Sequence, residues 1–328
     1  MKAVVCKRYG SPMKVLKLKE APKPTPRDNE VLVKIHAASV NAADVEILRG
    51  AWTARMTGPL RPRSRIPGSD VAGVVESVGK NVTKFKPGDE VFGDTFMKGF
   101  GAFAEYKSAP EKELYIKPKG MTFEQASCYP QSGIIALQGL RNKHPIKPGQ
   151  TVLINGAGGG MGTFAVQIAK HYGAEVTAVD HTSKIDMLHS IGADHVMDYT
   201  KEDYTKTGKT YNLILDVVAG RKVKDYERAL SDYGNFVIVG GSRATIFKVI
   251  FLGPIVTRKS NKKMGLNDWS SDKNEDMRFL MELFEAGKVK PVIDKHYPLR
   301  EVPEAYRYLE EGHVKGKLVI TMGHDNKT

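Results

Sequence analysis

Cysteine is nearly absent from this sequence: two residues, Cys6 and Cys128, occur in 328. Two thiols build neither a disulfide framework nor a structural zinc site that takes three or four thiolates, and a reducing, cytoplasmic setting is expected. A run of 18 apolar residues is missing as well, so no helix is expected to cross a membrane. The apolar stretch TIFKVIFLGPIV (245–256) is short and broken by Lys248, Gly253 and Pro254; it is a candidate to cover a sheet edge or form a contact between chains. The first 20 residues lack the charged and then apolar regions of a secretory signal. Acid is scarce relative to base, 37 residues against 50, which leaves a net charge of +13. Such an excess draws anions, dinucleotides among them, and is shared by nucleic-acid binders. The cations are scattered, however, and the densest cluster, TRKSNKKMG (257–265), has no interleaved aromatic residue. They read as a solvated surface, and neither a nucleic-acid nor a membrane partner is expected.

With 41% hydrophobic residues and no internal repeat, the chain is long enough for two packed domains. Its first 120 residues hold short β-branched runs between turn signals. EVLVKIHAASV (30–40) alternates apolar and polar residues, DVAGVVESVGKNV (70–82) is a strand with a turn at Gly79, FKPGDEVFG (85–93) is a Pro-Gly turn entering a strand, and GAFAEYKSAP (101–110) is another strand. These predict a small β-rich domain. Near residue 122 the pattern changes. TFEQASCYPQSGIIALQGLRNK (122–143) reads as two helices broken at Pro130, the first opened by Thr122 and Gln125 at capping-box spacing. Strands and helices then alternate through TVLING, MGTFAVQIAKHYG, EVTAVD, SKIDMLHSIG, HVMDY, YNLILDVV, KVKDYERALSDYG and NFVIVGG, the order of a doubly wound parallel sheet. NEDMRFLMELFEAGK (274–288) and VPEAYRYLEEGH (302–313) read as helices, GKLVITM (316–322) returns to strand, and the last six residues read as frayed. The predicted fold class is α/β, with a discontinuous β-rich domain over 1–123 and 292–328 and a dinucleotide-type domain over 124–291.

VLINGAGGGMG (152–162) carries the chemistry. It lies between the strand TVLI and a helix with Phe164, Ile168 and Tyr172 along one face. Gly159 and Gly162 keep the spacing of the last two glycines of G-x-G-x-x-G, and Ala157 stands where the first would be, beside Gly156. Glycine allows the tight turn and leaves no Cβ between backbone and pyrophosphate. The helix start then turns free N–H groups and its positive dipole end toward the anion. The expected cradle is Gly156, Ala157, Gly159, Gly160, Met161 and Gly162. The next strand ends at Asp180, where the fingerprint places an acid for the adenosine ribose. An acid there repels a 2′-phosphate and favours NADH, yet His181, Thr182, Ser183 and Lys184 follow as candidates to bind that phosphate. NADH and NADPH both stand.

On PGSDVAGVVESVG (67–79), FKPGDEVFG, GAFAEY (101–106), INGAGGGMGTFAVQIAK (154–170), GADHVMDY (192–199) and the final GKLVI, the chain resembles the medium-chain dehydrogenase/reductase superfamily. The likeness is to its zinc-free, quinone-oxidoreductase-like branch and covers essentially the whole length. It implies a GroES-like catalytic domain and a Rossmann domain. In zinc-dependent relatives a Cys, a His with a neighbouring Glu, and a later Cys hold the catalytic metal. Those places fall here at Asn41, at Ser69 with Asp70, and near Gln131, and the multi-cysteine lobe is missing. An amide and a hydroxyl are poor zinc donors, so no metal is expected. Without a Lewis acid to stabilise an alkoxide, quinones and α,β-unsaturated carbonyls become the expected acceptors of hydride from NADPH or NADH.

The resemblance sets Asn41 beside the nicotinamide, orienting cofactor or substrate. Asp44 either fixes the same loop or caps the helix VEILRG. Val218, Gly240, Gly241 and Ser242 are expected along the ribose and nicotinamide, with Asp180, His181 and Lys184 toward the adenosine. Lys317 is either near the phosphates or simply exposed. A helix position that often holds Thr falls at Ile135, with Ser132 as a substitute. The implied partners are a small electrophilic substrate and a second copy of the chain, in a homodimer. Two other readings stay open, an alcohol or carbonyl oxidoreductase and a low-turnover nucleotide-binding sensor or scaffold. The loop RGAWTARMTGPLRPRSRI (49–66), with Trp52 and several arginines, either recruits an anionic acceptor or forms a solvated lid.

Overall fold

A computed structural model gives the architecture and describes residues 1–141, 145–267 and 273–323. The tail expected to fray lies outside them from residue 324 onward. The chain opens with β1 (Lys2–Cys6), α1 (Pro12–Val15), β2 (Leu16–Glu20), β3 (Glu30–Val40), α2 (Ala42–Leu48), α3 (Trp52–Thr57), β4 (Asp70–Val78), β5 (Glu90–Asp94), β6 (Tyr106–Pro110), β7 (Leu114–Ile116) and α4 (Phe123–Cys128). There follow α5 (Ser132–Arg141), β8 (Thr151–Asn155), α6 (Gly160–His171), β9 (Glu175–Asp180), α7 (Ile185–Ser190), β10 (His195–Asp198), β11 (Tyr211–Asp216), α8 (Val223–Arg228), β12 (Leu230–Ile238), α9 (Arg243–Val256), β13 (Lys263–Leu266) and α10 (Asn274–Glu285). The last elements are β14 (Ile293–Pro298), α11 (Val302–Glu310) and β15 (Lys317–Thr321). Two compact units result, one of Met1–Gln131 with Ile293–Thr328, the other of Ser132–Val292. Helix α4 packs on β3 and β4 and so belongs to the first unit, which puts the first crossing at 131/132 rather than 123/124.

In the first unit the main sheet runs β14-β15-β3-β4-β5-β7, with β6 also on β3. Neighbours are antiparallel except β14 with β15. Long β3 is its spine: Val31, Val33 and Ile35 are fully buried and share a core with Val71, Phe103 and Tyr306. Strand β3 pairs Ser39 with Asp70 of β4, and Val40 with Leu318 of β15. Three strands thereby bring polar residues to one place inside an apolar sheet.

The second unit is built on a six-stranded parallel sheet in the order β10-β9-β8-β11-β12-β13. Counted along the chain this is 3-2-1-4-5-6, and the winding reverses between β8 and β11, where such sheets bind ligands. Helices cover both faces, so the strands are apolar runs rather than alternations; Val152, Leu153 and Ile154 are all fully buried.

One helix ends earlier than its sequence predicts. KVKDYERALSDYG (222–234) is helical only to Arg228, and β12 begins at Leu230. Leu230, Phe236 and Ile238 are buried beside β11, and Tyr233 adopts φ +62°, which no right-handed helix continues. Sheet packing overrides local propensity there. The apolar stretch at 245–256 is α9. Ser242 caps it, its Oγ accepting the Thr245 N–H at 3.2 Å. Val249 faces the core, while Phe247, Phe251, Leu252 and Ile255 are exposed.

Candidate functional site

The glycine loop leaves the end of β8 in the second unit. Gly156 takes φ +82°, a conformation open to glycine, and its N–H donates to the Val179 carbonyl at 3.0 Å. The left-handed turn thus falls on Gly156, while Ala157, which keeps the motif's first spacing, is fully buried. Gly159 is the N-cap of α6. The first intrahelical bond runs from the Thr163 N–H to the Gly159 carbonyl, so the N–H groups of Gly160, Met161 and Gly162 lie ahead of it, as at any helix start. A Cβ on Gly162 would stand 2.3 Å from the Gly156 carbonyl oxygen; glycine there lets the helix close onto the loop. A Cβ on Gly159 would have nothing nearer than 3.6 Å. Open space over a helix N-terminus of twelve residues is the cradle a pyrophosphate needs, and the residues present fit a dinucleotide.

Beside the loop Asp180 is engaged. It accepts the Gly158 N–H at 2.7 Å and the His181 N–H at 2.8 Å, and the Lys184 ammonium lies 3.1 Å away. Both side chains of that ion pair are buried. A Cβ on Gly158 would meet Lys184 Cδ at 2.5 Å, so the pair packs directly on the loop. The His181 Nδ1 accepts the Ser183 N–H at 3.2 Å, and Thr182 donates to Asp198.

At the neighbouring strand ends, Asn155 Nδ2 donates to Asp216 Oδ1 at 2.8 Å and ties β8 to β11 at the reversal point. Burial pushes the Asp216 carboxyl up to about 6, against the pull of the Asn155 bond. Val218 beyond it is 57% exposed. Gly240 follows β12, and Gly241 bridges to Ala219 with φ +131°. Ser242 is exposed, but its oxygen is used in capping α9. Ser132 opens α5 and is buried, and the Ile135 carbonyl accepts from Asn267 at 3.4 Å.

The second set lies in the first unit and is almost wholly buried. Asn41 is the N-cap of α2 and Asp44 its third residue, so Asp44 fixes the loop instead of standing at the cap. Its Oδ2 accepts the Asn41 N–H at 3.2 Å and its Oδ1 the Ser69 hydroxyl at 3.0 Å. The Asn41 amide donates to Ser69 Oγ at 3.2 Å and to Asp70 Oδ2 at 2.9 Å, and its carbonyl accepts from Lys317 at 2.6 Å. Ser39 adds a bond to Asp70 Oδ2 at 3.0 Å. Lys317 is 2% exposed, which removes the exposed-lysine alternative. Its ammonium also donates to the Val40 carbonyl at 3.3 Å and lies 3.8 Å from Asp70.

Two carboxyls in this enclosure are raised. Burial, and then the charge of Asp70, push Asp44 up to about 8. Burial raises Asp70 to about 7, opposed chiefly by Lys317, and its Oδ1 is a buried atom without a hydrogen-bond partner. Among the described residues no group of three or more His, Cys, Asp or Glu side chains is arranged to hold a metal. Cys128 is buried, its thiol bonded to the Glu124 carbonyl and pushed up to about 12 by burial, so it is an unreactive packing residue.

Of the residues in these two sets, the sequence reading names Asn41, Asp44 and the loop as candidates. It did not assign Lys317 to the Asn41 cluster, nor roles to Ser69, Asp70, Gly158, Asn155 and Asp216. The available signal was a polar residue at the end of an apolar strand, as in TVLIN, YNLILD and DVAGVV.

A family model described as "Alcohol dehydrogenase GroES-like domain" matches residues 27–119, and one described as "Zinc-binding dehydrogenase" matches residues 191–320. The chain is 33% identical to a "Quinone oxidoreductase" of Homo sapiens over 98% of both chains. It is 34% identical to an "NADPH-dependent alkenal/one oxidoreductase, chloroplastic" of Arabidopsis thaliana over 98% of this chain and 79% of that one. Among solved structures, the quinone oxidoreductase from Coxiella burnetii superposes with a TM-score of 0.87 at 30% identity, over 98% of this chain and 99% of the other.

Proposed function

The chain belongs to the quinone-oxidoreductase-like branch of the medium-chain dehydrogenase/reductase superfamily, and from that premise we propose that it is an NAD(P)H-dependent oxidoreductase that reduces quinones and α,β-unsaturated carbonyls without a metal. The observation that carries the metal-free reading is the ammonium of Lys317 inside the Asn41 cluster. Where zinc-dependent relatives gather thiolate and imidazole, this chain offers an amide, a hydroxyl and one carboxylate already beside a fixed cation. A second cation there would be repelled across a few ångströms of low-dielectric interior.

A bound nicotinamide supplies hydride. The chain's own residues hold the reactants. The N–H groups at the start of α6 bind the pyrophosphate, and Gly159 leaves room for it. Asn41 cannot swing freely: Ser69, Asp70 and Lys317 hold its amide in one orientation, so the loop and helix start that carry it present a fixed wall. The proton that balances hydride addition to an enone is taken from solvent at the carbon α to the carbonyl.

NADPH is the proposed cofactor. Lys184 cancels the charge of Asp180, so a 2′-phosphate beside them meets no net negative field. Lys184→Ala is expected to weaken NADPH binding about tenfold or more while changing NADH binding less; equal losses for the two nucleotides contradict the assignment. The proposed assembly is a homodimer, to be read by light scattering as twice the 36.2 kDa chain, with a monomer mass as the contrary result.

The reaction itself is tested with NADPH deuterated at nicotinamide C4 and a simple enone. Deuterium on the carbon β to the carbonyl of the product is expected. Unchanged enone, or a product free of deuterium, contradicts hydride transfer.

A further inference from the structure

We propose that the loop 58–65 recognises a phosphate group carried by the acceptor, remote from the carbon that takes hydride. The inference rests on the reductase reading above and names the substrate class. From Ile47 to Ser69 the chain holds five arginines and no acidic residue. Two of the five are used within the fold. Arg49 pairs with Glu310. The Arg55 guanidinium lies 4.7 Å from the centre of the Tyr9 ring and donates to the Gly50 and Pro59 carbonyls at 3.0 and 3.1 Å. The other three, Arg61, Arg63 and Arg65, are exposed and have no acidic partner among the described residues. All three line one cavity of about 580 Å³, together with Gly58 and Leu60.

The hollow is preformed. The Tyr9 hydroxyl donates to the Gly58 carbonyl at 2.7 Å and holds the near end of the loop. At the far end the Cys6 N–H donates to the Arg65 carbonyl at 2.7 Å and ties it to β1. Between them Pro62 is buried. A Cβ on Gly58 would stand 2.3 Å from the Arg61 carbonyl oxygen and 3.2 Å from the Arg63 backbone nitrogen, so the chain closes back on itself there. Pro59 and Pro62 each fix a backbone angle, and a loop already ordered loses little entropy when a ligand enters.

Three guanidiniums around one hollow repel each other, and a multiply charged anion among them turns that repulsion into attraction. Each guanidinium presents a fork of N–H donors that matches the oxygens of phosphate or carboxylate. A carboxylate brings one charge and two oxygens, which leaves part of the set unmatched. A phosphate monoester brings three oxygens and about two charges. The loop also belongs to the reacting end of the molecule by its place in the chain. The backbone leaves the Asn41 cluster through α2 and α3 and returns to it at Ser69, whose Oγ accepts from the Asn41 amide. An acceptor anchored here by its phosphate is held by the same stretch of chain that carries Asn41 and Ser69. The solvated lid, the other reading of this segment, leaves the three like charges facing one cavity with nothing to offset them.

The test uses three vinyl ketones that share the reducible group. They differ at the far end of a short alkyl chain, which carries a phosphate monoester, a carboxylate or a methyl ester. With NADPH saturating, kcat/KM for the phosphate is expected to exceed that for the methyl ester by about tenfold or more. The gain should come chiefly through a lower KM and shrink as salt is raised. Arg61→Gln with Arg63→Gln should remove the preference, and Arg63→Lys, which keeps the charge and loses the fork, should reduce it in part. A second measurement stands apart from turnover: calorimetric binding of the saturated phosphate-ended ketone to the full chain with NADP+ already bound, so that the glycine loop is occupied. The double variant should weaken that binding about tenfold, and thermal melting checks each variant. No preference for the phosphate in the wild type, an equal preference for the carboxylate, or a preference and affinity unchanged in the double variant would each overturn the proposal. Failure to reduce any of the three ketones contradicts the reductase reading instead, and the calorimetric comparison then decides the site by itself.

Discussion

Gly159 and Gly162 separate two jobs that one motif combines. Gly159→Ala adds a methyl group that meets nothing nearer than 3.6 Å at an ordinary φ of −85°. It should change stability by no more than about 1 kcal/mol and weaken NADPH binding about tenfold or more, because the methyl would occupy the space proposed for the pyrophosphate. Gly162→Ala drives a methyl to 2.3 Å from a backbone carbonyl and should cost about 1–3 kcal/mol of stability. Thermal melts and a nucleotide titration read both, and a Gly159→Ala chain that binds NADPH like the wild type contradicts the cradle. Asp44 offers a different reading. An unfolded carboxyl titrates near about 3.9, whereas Asp44 in the fold is raised to about 8 by burial. Its contribution to stability is complete below the unfolded value and is lost as pH rises toward the folded one. Asp44→Asn imitates the protonated acid, so its melting temperature should fall less than that of the wild type between about pH 5 and about pH 8. Parallel melting profiles contradict a proton on Asp44. Glycine spacing made the strand–loop–helix turn of the proposed cradle visible in the sequence, because a spacing along the chain is what the motif consists of. Lys317 was not visible as a partner of Asn41, since 276 residues separate them and only the register of β15 on β3 brings them together.

At the scale of elements, the long periodic segments were legible and the interrupted ones were not. EVLVKIHAASV is β3 to the residue, and Thr122 and Gln125 exchange the expected capping-box bonds at 3.0 and 3.2 Å. The end of α8 was missed because ERALSDYG has good helix formers, and what stops it is the burial of Leu230 beside β11, a long-range effect. Strand β13 was hidden inside the cationic stretch TRKSNKKMG, which reads as surface; it is an edge strand of four residues with little apolar signal. Helix α9 looked like a bare apolar stretch, and the stretch alone does not show that Val249 is fully buried while Phe247, Phe251 and Ile255 are exposed. The cap fixes where α9 begins. Ser242→Ala should lower stability by about 1 kcal/mol, read as an earlier denaturation midpoint with an unchanged slope. An unmoved midpoint contradicts the capping bond as a stabilising contact.

For the whole molecule, the order of strands and helices carried most of the fold. A β-rich opening, an alternating middle and a closing strand lead to two units with the first one discontinuous, and the 3-2-1-4-5-6 sheet places the glycine loop at its reversal point. The chemistry was legible by type rather than by geometry. Asn41, Ser69 and Asp70 in place of stronger zinc donors suggest a reductase of acceptors that are already electrophilic, and the structure adds a fixed ammonium to that cluster. The most direct measurement is steady-state oxidation of NADPH and NADH by chelator-treated protein, with an ortho-quinone and an enone as acceptors. The account predicts full turnover after chelation, unchanged by added zinc and faster with NADPH. Loss of turnover on chelation with recovery on zinc, or tight nucleotide binding with no turnover of either acceptor, would contradict it.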